Sequence, residues 1–314
     1  MMGMVVGRAK RVMEASAFAP GIRTWLDRAK NSGGYSCEPE LADEQLAEGR
    51  VSNGNSNDCA GGNNGIGYET VKALLQSTKP YHILMGSRSQ DKAENAIAKL
   101  QKECPGSRNT VEAVQVDVTS DDSIQAAFDK ISSSPGHIDT LINNAGATFD
   151  LEYVAGKVSL RDCFMKAYDV NVAGTNVLTW TFMPLLLKSS DPRLIFVTGL
   201  SNVTQASKSY FPTPPQPAGW PKRIEFETIG YRCSKTALNM LMVDWNHKLK
   251  ADGVKVWALG PGMLETDLGN ARHLAKKMGA KPAHIGGQFI RSVVEGQRDA
   301  DVGKIIVKDG ISEF

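Results

Sequence analysis

The sequence predicts an α/β protein built on a doubly wound parallel sheet. Three observations predict it. From Cys59 onward, short apolar runs of strand length alternate with longer helix-forming runs. A glycine-rich turn, Gly61-Gly62-Asn63-Asn64-Gly65-Ile66-Gly67, opens the first of those helices. Polar residues such as Asp117 and Asn143-Asn144 stand just beyond the apolar runs. That is the carboxyl end of each strand, where open sheets of this kind bind ligands.

Taken in order, the glycine turn leads into a helix over 68–77, and His82 to Met85 form a short strand. A helix over 91–103 and a strand over 111–116 follow, then a helix over 123–132 and a strand over 138–142. Residues 162–188 read as one long helix, 193–197 as a strand, and Tyr231 begins another helix. A strand over 254–259, a helix over 284–294 and a strand over 304–307 close the domain. About seven strands are expected, the first of them degenerate or missing. The glycine turn should follow a buried apolar strand, yet 53–60 is polar or glycine almost throughout. Either that strand is degenerate, or this N-terminus departs from the natural protein, for example through a misplaced exon boundary; the second reading is the favoured one. The chain is accordingly divided into an extension over 1–57, with short helices or little structure, and a nucleotide-binding domain over 58–314.

Composition narrows the classes. The formal net charge of the 314 residues is +2 with both signs interspersed, which gives no argument for nucleic acid. No apolar run approaches the roughly 18 residues of a membrane span. Five scattered cysteines without CxxC spacing read as a reduced, cytoplasmic protein, and neither they nor the five histidines have metal-ligand spacing.

Three places carry chemistry. Tyr231 and Lys235 lie four residues apart, on one face of a helix. A lysine ammonium near a phenol favours the phenolate and draws tyrosine towards acid–base work. Asn171 falls inside the long helix, where a buried amide is disfavoured unless it has a partner to serve. After the second strand, Ser87-Arg88 replaces the acidic residue that would bind an adenosine ribose, and a guanidinium there suits a 2′-phosphate. NADP(H) is therefore expected over NAD(H).

The ordered set Gly61-x-x-x-Gly65-x-Gly67, Asp117-Val118, Asn143-Asn144-Ala145-Gly146, Asn171, Tyr231-x-x-x-Lys235 and Pro261-Gly262 with Thr266 resembles the short-chain dehydrogenases/reductases. The likeness runs from about Cys59 to the C-terminus, and the insertion over 202–229 is similar to that of carbonyl-reductase-like members. The resemblance implies a Rossmann-type fold and hydride transfer between a ketone or aldehyde and an alcohol. It implies Tyr231 as the general acid or base, with Lys235 lowering its pKa and holding the nicotinamide ribose. It implies Asn171 as the anchor of a proton relay. Gly61, Asn64, Gly65, Ile66 and Gly67 would cradle the pyrophosphate. Asp117 and Val118 would flank the adenine, and Asn143, Ala145, Gly146, Pro261, Gly262 and Thr266 would line the rest of the cofactor. The family's substrate-orienting serine has no obvious counterpart. An ungapped count from Arg193 places Gly199 there, leaving Ser201, the favoured choice, and Thr198 as the candidate hydroxyls. Tyr210, Phe211 and Trp220 in the insertion would either cover an apolar substrate or pack the loop. The partners implied are a small carbonyl or alcohol, with the chain as monomer or homodimer. An impaired dinucleotide-binding protein is the alternative. An epimerase of the extended branch fits less well, since only about 50 residues follow Pro261.

Overall fold

The computed structural model describes residues 3–6, 62–199, 201–208, 217–222 and 224–314. The chain divides into one unit of Met1–Arg8 with Asn57–Phe314 and a second of Ala9–Ser56, which lies outside the described residues. Of the earlier expectations, Gly61, Tyr210, Phe211 and all of the N-terminal extension except 3–6 also fall outside them.

The described elements are β1 (Gly3–Val6), α1 (Gly65–Leu75), β2 (His82–Ser87), α2 (Gln90–Glu103), β3 (Thr110–Gln115), α3 (Asp121–Ser133), β4 (Thr140–Asn143), α4 (Asp150–Val154) and α5 (Leu160–Tyr168). A π-helical turn, Asp169–Gly174, joins α5 to α6 (Thr175–Leu186). Then come β5 (Arg193–Val197), α7 (Val203–Lys208), α8 (Ile229–Lys248), β6 (Lys255–Gly260), α9 (Arg272–Lys277), α10 (His284–Val294), β7 (Ile305–Val307) and β8 (Gly310–Ser312).

All eight strands form one sheet in the order β3-β2-β1-β4-β5-β6-β7-β8. β2 pairs with β3 in parallel, and β4, β5, β6 and β7 are parallel in succession. Helices cover both faces, and the period-2 alternation of the strands sorts their side chains. Leu194 and Phe196 of β5 join one core with Phe182, Leu238 and Met242; Ile195 and Val197 join the other with Val71, Leu74, Trp257 and Ile290. Phe182, Phe196 and Trp257 are fully buried, each contributing about 1.5–3 kcal/mol or more by leaving water.

The central position, where a degenerate or missing first strand was expected, is filled from outside the approach to the glycine turn. Between β2 and β4 lies β1, antiparallel to both, with Val5 opposite Ile83 on one side and Thr140 on the other. An empty slot there would leave facing rows of buried N–H and C=O groups unpaired. The polar run before the glycine turn is a poor strand former, whereas Met4-Val5-Val6 is apolar, with two β-branched valines, and pairs with both edges. The direction matters. Val6 lies opposite His82, at the amino end of β2, and Gly3 opposite Met85, nearer its carboxyl end. The glycine turn is thus not fed by β1; its Gly62 N–H donates to Gly86 O at 3.2 Å, tying it to β2 instead.

The helix expected over 162–188 is interrupted by the π turn. Gly174 explains the local packing, since a Cβ there would overlap the Val118 carbonyl. α10 also lies backbone-close on α1, because Gly287 leaves room for Glu69 and Gly286 for Ile66.

Candidate active site

α8 carries the centre of the site. Tyr231, Lys235, Leu238, Met242 and Trp245 recur every three or four residues, so they share one helix face. Leu238, Met242 and Trp245 are core residues, and their packing fixes the azimuth at which Tyr231 and Lys235 leave the helix. Lys235 is only 2% exposed, and its Nζ donates to Val197 O, at the end of β5, at 2.9 Å. The ammonium lies 5.7 Å from the centre of the half-buried Tyr231 ring. Burial brings the Lys235 ammonium down to about 7 and pushes the Tyr231 phenol up. Both groups are thereby moved towards their neutral forms.

Asn171 sits on the π turn, fully buried. Its Oδ1 accepts from Ala147 N–H at 2.8 Å, and its Nδ2 donates to Ala147 O at 2.9 Å and to Ser234 Oγ at 2.8 Å. The amide therefore ties the loop after β4 to α8. Gly146 lies between the two side chains: a Cβ there would stand 3.2 Å from Lys235 Nζ and 3.5 Å from Asn171 Oδ1. The Asn143-Asn144-Ala145-Gly146 run, Asn171, Tyr231 and Lys235 thus come together at the carboxyl ends of β4 and β5.

The serine question takes a specific form. Ser201 is buried; its Oγ receives Asn239 Nδ2 at 2.9 Å and shares a 3.1 Å hydrogen bond with Thr198 Oγ1, which also reaches Lys235 O at 3.4 Å. Both candidate hydroxyls are engaged with each other and with α8. The backbone position that faces the phenol is Gly199, where a Cβ would stand 3.9 Å from Tyr231 Oη and, its chain neighbours aside, meet no other atom of the described residues within 4 Å.

Of the remaining predicted residues, those described stand at or beyond the carboxyl ends of β2, β3, β4 and β6 or at the start of α1. Gly65 has φ +52°, and a Cβ on it would touch Thr266 at 3.4 Å, so the glycine turn and the segment after β6 meet there. Asn64 precedes α1 without a side-chain cap on its first turn, and Ile66 and Gly67 begin the helix. Ser87 is buried at the end of β2, where its Oγ accepts from Ser89 N–H at 3.3 Å. The half-buried Arg88 follows, its carbonyl held by Gln115 Nε2 at 3.1 Å. Asp117 lies two residues beyond β3, with Oδ1 accepting from the Thr119 amide and hydroxyl, and Val118 is buried beside Gly174. Pro261 is buried, Gly262 is exposed, and Thr266 is 9% exposed. Asn143 donates Nδ2 to Thr179 Oγ1 at 2.9 Å while its Oδ1 is buried without a protein partner.

A dinucleotide fits these residues. The start of α1, where the Asn64 side chain makes no cap, presents the positive end of a helix dipole, and Gly65 and Gly146 leave clear the backbone that a bound group would approach. Trp220, which was expected to cover the substrate or pack the loop, is 87% exposed. Among the described residues no cluster of three or more His, Cys, Asp or Glu could hold a metal, and no helix is long and apolar enough to cross a membrane. Sequence reasoning missed the carboxylates of Asp150 and Glu227, which accept from backbone N–H groups at the start of α8. Neither lies in a spacing motif.

The short chain dehydrogenase family model matches residues 59–210. The chain is 47% identical over 255 residues to short-chain dehydrogenase/reductase tropE of Talaromyces stipitatus, covering 80% of this chain and 94% of that protein. It is 43% identical over 249 residues to short-chain dehydrogenase/reductase eupG of a Phoma species, covering 76% and 89%. Among solved structures, an NADPH-bound carbonyl reductase from chicken fatty liver superposes with a TM-score of 0.64 at 23% identity, over 81% of this chain and 96% of that one, a likeness of fold. With the likeness to tropE extending over nearly the whole of that relative, the chain belongs to the short-chain dehydrogenase/reductase family and is of the oxidoreductase type.

Proposed function

We propose that the chain is a cytoplasmic, NADPH-dependent reductase of a ketone or aldehyde, acting as monomer or homodimer, with Tyr231 as the general acid. The observation that carries this reading is the convergence of Tyr231, Lys235, Asn171 and Gly146 beside the end of β5. The cofactor, when bound, supplies the hydride to the carbonyl carbon. Tyr231 gives its proton to the carbonyl oxygen. Burial favours the protonated phenol, the form that reduction requires at the start of a turnover. Lys235, anchored on Val197 O, holds the ribose beside the Tyr231 ring. Asn171 keeps the loop after β4 against α8, so that Gly146 leaves the space around Lys235 clear. Ser201 braces Thr198 and Asn239, and the substrate approaches the phenol beside Gly199.

The preference for NADP(H) rests on Ser87 and Arg88 at the end of β2, with no acidic residue in either position. The NADPH of the chicken carbonyl reductase is in keeping with it. A fluorescence titration with NADPH and NADH tests it. The expected result is tighter NADPH binding, weakened about ten- to a hundredfold by Arg88→Glu, while NADH binding is not weakened. Equal affinities for the two cofactors in the wild type would overturn the assignment.

A further inference from the structure

We infer that Asp150 is a positioning residue for the acid, a buried carboxylate that clamps the first turn of α8 and so sets where Tyr231 stands. This inference rests on the reductase reading only for its kinetic consequence. The first N–H groups of a helix have no partner inside it. At α8 the account closes on two carboxylates. Glu227 Oε1 accepts from Thr228 N–H at 2.7 Å and Ile229 N–H at 2.9 Å. Asp150 Oδ1 accepts from Gly230 N–H at 2.8 Å, and Oδ2 from Tyr231 N–H at 3.0 Å. Arg232 N–H is the first to find a helical carbonyl, that of Thr228. Thr228, at the cap position, contributes no side-chain bond.

The clamp is rigid from both sides. Asp150 is 1% exposed, and Thr148 Oγ1 donates to its Oδ2 at 2.8 Å. Cys163 Sγ lies 3.8 Å from Oδ1 as a donor, and burial together with Asp150 pushes that thiol up to about 12, so it keeps its proton. Gly230 has no spare room: a Cβ there would stand 3.1 Å from both Asp150 Oδ1 and Cys163 Sγ. A buried carboxylate at the positive end of a helix is also electrostatically favoured. Thr148 follows directly on Gly146 and Ala147, the loop held by Asn171, and Asp150 stands two residues further on. One short segment thus fixes both Lys235's surroundings and the start of Tyr231's helix.

The test compares Asp150→Asn, Asp150→Ala and Gly230→Ala with the wild type in full-length chain. Hydrogen exchange followed by mass spectrometry reads the peptide over 228–233, and steady-state kinetics read NADPH-dependent carbonyl reduction. The clamp predicts exchange in that peptide faster by at least about tenfold in Asp150→Asn, with α10 and the glycine turn unaffected. It predicts kcat lower by about tenfold in Asp150→Asn and up to about a hundredfold in Asp150→Ala, with the KM for NADPH unchanged. Gly230→Ala, which crowds the same carboxylate without removing it, should lower kcat in the same sense. Should Asp150→Ala fail to fold, the other two variants carry the comparison. Unchanged exchange over 228–233 in folded Asp150→Asn would overturn the clamp, as would a KM for NADPH that rises in step with any loss of kcat. A wild-type chain that reduces no carbonyl would refute the reductase reading alone, and exchange would then decide the clamp.

Discussion

Lys235→Met offers the most quantitative test of how the site is held. The Lys235 side chain is buried against Val197 O, and burial lowers its ammonium from 10.5 to about 7. Between those values the unfolded chain binds the proton and the folded chain does not. Stability of the cofactor-free protein therefore rises with pH across that window, by about 1.4 kcal/mol per unit and about 5 kcal/mol in all from this one group. Tyr231 acts in the opposite sense only at higher pH. Its phenol is raised by burial, so the unfolded chain releases that proton first, above about 10. Methionine removes the lysine titration while keeping most of the buried stem. Denaturant unfolding of both proteins at pH 7.5 and 9.5 isolates the effect, because every other group cancels in the difference. The wild type should gain about 3 kcal/mol more than Lys235→Met over those two units. Parallel pH profiles for the two proteins would refute the reasoning, since they would mean that Lys235 stays charged in the folded state.

Three further outcomes follow from named contacts. Gly199→Ser would put a hydroxyl beside Tyr231 Oη, since a Cβ stands 3.9 Å from the phenol oxygen, and should raise kcat/KM on small aldehydes, by up to about 10²-fold if the hydroxyl aligns. Ser201→Ala should cost about 1–3 kcal/mol of stability by leaving Asn239 and Thr198 short of a partner, with kcat/KM falling less than tenfold; a larger fall in activity at unchanged stability would return the substrate-orienting role to Ser201. Val5→Pro removes a donor from the middle of β1, which pairs on both sides. It should lower stability by about 3 kcal/mol or more, seen as a Tm lower by at least about 6 °C; an unchanged Tm would show that 3–6 does not fill the slot.

Much of the fold was legible because its signals are local. The alternation of strands and helices placed β2 to β7 nearly where they stand, and the Tyr231/Lys235 spacing fixed one helix face from sequence alone. β1 was not legible. Its four residues are separated from the sheet by a long segment, and nothing local marks them as the partners of His82 to Met85. The π turn was missed because nothing in the local spacing marks it, and the close approach of Gly174 to Val118 within it is a tertiary contact. Asp150 was missed for a similar reason: its partners lie 80 residues away in sequence and are backbone amides, which carry no side-chain signature. The ungapped count that placed Gly199 at the strand end could not show that Thr198 and Ser201 are turned to each other; only the packing of α8 decides that.

The most direct test of the central claim is carbonyl-dependent oxidation of NADPH by the purified chain, measured beside Tyr231→Phe. The wild type should turn over at least some aldehydes or ketones. In Tyr231→Phe, kcat should fall by about 10²–10⁴-fold with NADPH still bound. Turnover that survives in Tyr231→Phe would contradict the assignment of Tyr231 as the acid. NADPH binding without turnover of any carbonyl would contradict the reductase reading itself.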